Sequence, residues 1–177
     1  MGSEVLSAAL HVGFLTVFQE GTGYVGGLLI TNSWGRPVEF RLSTAISPNR
    51  VQQILYGGTL EEYLCGELIG RTLIEKAASS VQIVFTDNAS VLAMRAKSDF
   101  PVLALLSDDV PVPVGSLTLT DEHTSRTLVY SRKYAADRDR IIELLSRIDA
   151  GFDLAEPFSR IREAMGEARR MGVTSRG

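Results

Sequence analysis

Polar and apolar residues alternate over residues 38–43, where Val38, Phe40 and Leu42 interleave with Glu39, Arg41 and Ser43. This period of two predicts a strand with one buried and one wet face. The two segments before it, residues 11–18 (HVGFLTVF) and 24–31 (YVGGLLIT), are rich in β-branched and aromatic residues. The turn-forming QEGTG at 19–23 separates them and NSWGRP at 32–37 follows, so the first third reads as three antiparallel strands. Gly26 and Gly27 weaken the second strand. They fit there if a bulge or a closely packed helix requires them, or if a ligand lies on the backbone.

Helical spacing then takes over. Ser47-Pro48 predicts a helix start with Val51, Ile54 and Leu55 at helical intervals, stopped by Gly57-Gly58. Thr59 and Glu62 have capping-box spacing ahead of a helix to about Ala78, with Leu60, Leu64 and Leu68 on one stripe and Glu67 at its border. Gly66 and Gly70 lie on one side of that helix and suit close packing against a sheet. The apolar run VQIVFT ends on Asp87, a short helix spans about 89–97, and residues 102–106 form a second apolar strand. This strand–helix–strand order predicts a parallel crossover and a mixed sheet. DDVPVP at 108–113 reads as an irregular extended connection, because Pro111 and Pro113 cannot donate to a ladder. Short strands at 116–120 and 126–130 follow, then helices at about 135–148 and 153–171, with Pro157 suited to a first turn.

Composition narrows the classes. At 177 residues, 45% apolar and 22% charged, the chain can bury one substantial core. A net charge of −3 provides no general basic field for coating nucleic acid. The single Cys65 can close no intramolecular disulfide and reads as a small core residue. No apolar run approaches a membrane span and the N-terminus lacks a secretory pattern, which predicts a soluble, cytoplasmic protein. His11 falls in a strand, His123 lies in a polar loop beside Asp121 and Glu122, and no serine or cysteine occupies a nucleophile turn.

Candidate chemistry lies in residues 59–87, where a helix carrying Glu67 leads into a strand ending on Asp87. Hard divalent cations are held by carboxylates delivered in this way. The element order, together with EGT at 20–22, GELIGRTLIEKA at 66–77 and FTD at 85–87, resembles the ribonuclease H-like superfamily. The resemblance implies an α/β fold in which three antiparallel strands precede parallel ones, with helices packed on the sheet and a helical C-terminus. It implies that Glu20, Glu67, Asp87, and Asp137 or Asp139 stand where that family places the acids that bind two divalent ions. Glu20 stands where the family has an aspartate, a helix-sized insertion at about 48–58 precedes the Glu67 helix, and no basic cluster marks a substrate groove. Each acid also has an ordinary structural reading: Glu20 as a turn residue, Glu67 as a helix-edge charge, Asp87 as a cap, and Asp137 and Asp139 as helix N-terminal charges.

Residues 1–150 are therefore expected to form a ribonuclease H-like domain, and 151–177 an amphipathic helix and frayed tail. Trp34 at a turn, together with Phe158, Ile161 and Met165 on one helical stripe, are candidate partner-binding residues, although such a stripe also suits packing on the chain's own sheet. The function expected is a non-catalytic interaction or regulatory subunit that needs no cofactor and binds a protein partner or a second copy of itself. The alternative is a magnesium- or manganese-dependent nuclease of the ribonuclease H-like type, with nucleic acid as its partner and Glu20, Glu67, Asp87, Asp137 and Asp139 as catalytic candidates.

Overall fold

The computed structural model describes residues 10–172. The frayed tail expected after Met171 falls, beyond Gly172, outside the described residues. β1 (Val12–Glu20) is an interior strand of a seven-stranded sheet of order β3-β2-β1-β4-β5-β7-β6. β2 (Gly23–Thr31) and β3 (Pro37–Leu42) extend it antiparallel on one side. β4 (Ile83–Thr86) and β5 (Val102–Leu106) extend it parallel on the other. β7 (Thr127–Ser131) and β6 (Ser116–Leu119) add an antiparallel edge. This is the mixed α/β sheet expected from the element order.

β1, β2, β4 and β5 show no clean alternation because both faces of the central sheet are covered. One cluster contains Phe14, Phe85, Leu103, Phe158, Ile161 and Met165, and the other contains Leu15, Val17, Val84, Leu64, Ile69 and Met94. β3 alternates in sequence but not in burial as expected. Val38 and Phe40 are 45% and 37% exposed, whereas the intervening Glu39 is drawn in. At the sheet's edge the covering helices do not reach the apolar face, and Glu39 accepts hydrogen bonds from the backbone N–H groups of Ala78 and Ser79 at 3.0 and 2.9 Å.

Helix α1 (Arg50–Tyr56) starts one residue beyond the expected Ser47-Pro48, at Asn49, which forms a capping box with Gln52. None of its residues is buried, and Val51, Ile54 and Leu55 are exposed. The Thr59–Glu62 box does not form. Thr59 Oγ1 instead donates to the Tyr56 carbonyl at 2.6 Å, within a tight turn over Gly57–Thr59. The following helix is wider than expected: Glu62–Gly70 is π-helical, with the Arg71 N–H reaching back to the Gly66 carbonyl, and α2 (Arg71–Lys76) continues it. Cys65, Ile69 and Leu73, four apart along the two segments, share the buried side.

The glycines of β2 serve close helix packing. A Cβ on Gly26 would stand 2.5 Å from Ile69 Cγ2, and one on Gly27 would stand 2.6 Å from Ile161 Cγ2 on the opposite face. Gly66 meets the short 3₁₀ helix Ala89–Lys97 rather than the sheet, with Ser90 O and Met94 N each 3.0 Å from a would-be Cβ. The C-terminal helices are α3 (Arg138–Ser146) and α4 (Glu156–Arg170), the latter with Pro157 in its first turn. Phe14 gathers Phe85, Phe152 and Phe158 around itself at ring separations of 5.7, 5.6 and 5.8 Å. α4 is thereby built into the same core as β1.

Candidate active site

β1 and β4 are parallel, with Leu15 paired to Thr86, so the next residues, Thr16 and Asp87, meet at the C-terminal end of the β4 ladder. Thr16 is buried, and its Oγ1 donates to Asp87 Oδ1 at 2.8 Å. Asp87 does not cap the following helix. Asn88 does that, accepting from the Ser90 N–H at 2.9 Å while its side-chain amide donates to the Val17 carbonyl at 2.8 Å. With capping assigned to its neighbour, the Asp87 carboxylate turns toward β1 and α4. There Arg162 Nη2 donates to Asp87 Oδ2 at 2.6 Å and to Thr16 Oγ1 at 3.3 Å. The Asp87 side chain is 13% exposed and that of Arg162 49%, so the group is rooted in the sheet and open on one side.

The other acids lie elsewhere. Glu20 shares a parity with Thr16 on β1, but about 13 Å further along it at ordinary strand rise, and both of its oxygens are held by Arg169 of α4. Glu67 is carried by the π-helical segment on the opposite face of the sheet. It lines a separate cleft of about 620 Å³, along with Glu62, Leu92, Tyr134, Arg132 and Lys133. Asp137 clamps Arg95 through two hydrogen bonds of 2.8 and 3.1 Å, and the Arg95 guanidinium lies 4.2 Å from the Tyr134 ring centroid. Hydrogen bonding to Asp137 raises the pKa of Arg95 above its usual value. Asp139 sits exposed in the first turn of α3. Among the described residues, no group of three or more histidines, cysteines or acids could hold a metal ion.

Cys65 and His123 offer no nucleophile and base either. Cys65 is buried, and burial, with Glu61 nearby, pushes its thiol up to about 11. His123 is engaged by Asp121 Oδ2 at 2.5 Å and by the Ile148 carbonyl at 3.0 Å. Of the four candidate partner-binding residues, Phe158, Ile161 and Met165 are buried in the chain's own core, and Trp34 is 62% exposed.

Thr16 and Arg162 carry no local signal in the sequence. A threonine in a β-rich run and an arginine beside an apolar helical stripe are both ordinary, and only the β1–β4 register and the seating of α4 bring them to Asp87.

No family model matches the chain, and no curated protein does. Solved structures do. Endonuclease V from Bacillus subtilis superposes with a TM-score of 0.51 at 11% identity, over 94% of this chain and 85% of that one. Endonuclease V from Streptomyces avermitilis gives 0.52 at 10% identity, over 92% and 84%. These neighbours, endonucleases by name, overturn the expectation of a non-catalytic interaction or regulatory subunit. The helical stripe on which that expectation leaned is spent on the core. At such identities the likeness is one of fold: the chain has the ribonuclease H-like α/β fold that these endonucleases share.

Proposed function

We propose that the protein is a nuclease of the ribonuclease H-like type, hydrolysing phosphodiester bonds of nucleic acid, with Asp87 as the acid on which activity depends. The observation that carries this reading is the placement of Asp87. It is a little-exposed carboxylate just beyond the C-terminal end of a parallel strand, aimed by a buried hydroxyl and released from helix capping. Open α/β sheets bind ligands outside the carboxyl ends of their strands. Thr16, Asp87 and Arg162 place a hydroxyl, a carboxylate and a guanidinium in one hydrogen-bonded group. A carboxylate can accept a proton from an attacking water and a guanidinium can donate to a phosphate oxygen.

Magnesium or manganese is the cofactor that this reading implies. The residues do not fit a two-ion centre as they are arranged. Asp87, Glu20 and Asp137 are each engaged by an arginine, and Glu67 faces a different cleft. No step of hydrolysis is assigned to a metal ion for that reason.

The test is cleavage of a labelled panel of single- and double-stranded DNA and RNA, with and without magnesium or manganese, by the wild type and by Asp87→Asn. Cleavage of at least one member, abolished in the variant, is the expected result. A wild type that leaves the whole panel intact in every condition overturns the reading.

A further inference from the structure

We infer that Arg162 is a built-in cation that occupies Asp87 in place of a divalent metal ion, so that metal gains this carboxylate only by displacing the guanidinium. The inference rests on the reading of Asp87 as the central acid but not on cleavage itself. Arg162 Nη2 contacts both members of the pair at the strand ends, Asp87 Oδ2 at 2.6 Å and Thr16 Oγ1 at 3.3 Å, and so takes up the carboxylate oxygen that Thr16 leaves free. A cation's charge beside a carboxylate competes directly with any second cation for the same oxygens.

The contact is a side-chain device rather than a movement of the helix. Phe158, Ile161 and Met165 fix α4 in the core with 2% exposure or less. The Arg162 side chain is 49% exposed and can swing into solvent without disturbing them. Its guanidinium lies 5.8 Å from the Phe18 ring centroid, an aromatic face that helps to hold it over the site. The same pattern recurs two helical turns along α4, where Arg169 holds Glu20. Two arginines on one helix thus each neutralise a separate acid, Arg162 at Asp87 and Arg169 at Glu20.

The direct test is isothermal titration of manganese into the full chain, comparing wild type, Arg162→Ala, Arg162→Gln and Arg162→Ala/Asp87→Asn, with circular dichroism to confirm folding. Arg162→Gln keeps a neutral polar side chain at the position should the alanine variant lose structure. Both single variants are expected to bind manganese about twofold to fivefold more tightly than wild type, the scale of releasing a carboxylate from a partly exposed ion pair. The gain should vanish in the double variant. Equal affinity in wild type and single variants, no binding by any of them, or a gain that survives Asp87→Asn overturns the inference. Failure of the nuclease reading looks different: manganese affinity rises on removal of Arg162 while no protein cleaves the panel. Conversely, wild-type cleavage abolished by Asp87→Asn, with manganese affinity unchanged by the Arg162 variants, leaves the nuclease and removes Arg162 as the occupant that metal must displace.

Discussion

Thr16 Oγ1 donates to Asp87 Oδ1 at 2.8 Å, joining β1 to the residue that follows its parallel neighbour β4. Seventy-one positions separate the two in the chain. The hydroxyl is buried, so removing it leaves one carboxylate oxygen without its donor. Thr16→Val keeps the β-branched shape and is expected to cost about 1 kcal/mol, read as a lower urea midpoint with an unchanged slope. If cleavage is detected, the same substitution should reduce it, because Asp87 loses the group that aims it.

Asp137 and Asp87 are expected to behave differently. Asp137 ties the start of α3 to Arg95 on the 3₁₀ helix, and its side chain is 13% exposed. Asp137→Asn should therefore lower stability by about 1–3 kcal/mol, with cleavage retained at temperatures where the variant is folded. Loss of cleavage by fully folded Asp137→Asn would show that this acid also serves the reaction.

Glu39 makes stability depend on acid. Its hydrogen bond from Arg41, reinforced by the N–H groups of Ala78 and Ser79, holds its carboxyl down at about 2. The pKa is lower folded than unfolded, so the unfolded chain binds more protons between the ordinary carboxylate value and about 2. The stabilisation is fully present above the unfolded value and is lost as the pH falls through that window. Glu39→Gln should flatten the fall of melting temperature between about pH 4.5 and pH 2; an unchanged slope would argue against this role.

Gly26 marks the closest approach of helix to sheet. Gly26→Ala places a methyl 2.5 Å from Ile69 Cγ2, and overpacking of this kind costs about 1–3 kcal/mol. The clash has a named partner, so adding Gly26→Ala to an Ile69→Ala background should cost less than adding it to the wild type. Equal costs in the two backgrounds, measured by chemical denaturation, would place the strain elsewhere.

Cys65 should resist alkylation. Its thiol is buried and shifted up to about 11, so the reactive thiolate is scarce at neutral pH. Iodoacetamide at pH 7.5 is expected to modify the unfolded chain and spare the native one, as judged by intact mass.

The sequence by itself determined the order and kind of the elements, because each depends on neighbours close along the chain. Alternation and β-branched runs marked the strands, helical spacing marked the C-terminal helices, and the paired glycines of β2 pointed to close packing. It also singled out Asp87 by its position at a strand end. Local pattern could not decide the burial of β3, where Glu39 turned inward and Phe40 outward, since that depends on how far the covering helices reach. Nor could it decide which face of the sheet the π-helical segment covers, and that choice places Glu67 on the far side from Asp87. The rest of the site was decided by tertiary structure. Parallel pairing of β1 with β4 set Thr16 against Asp87, and the docking of α4 delivered Arg162 and Arg169 to acids 75 and 149 positions away. A carboxylate's function depends on the charges and donors that surround it, and those arrive through contacts between distant segments.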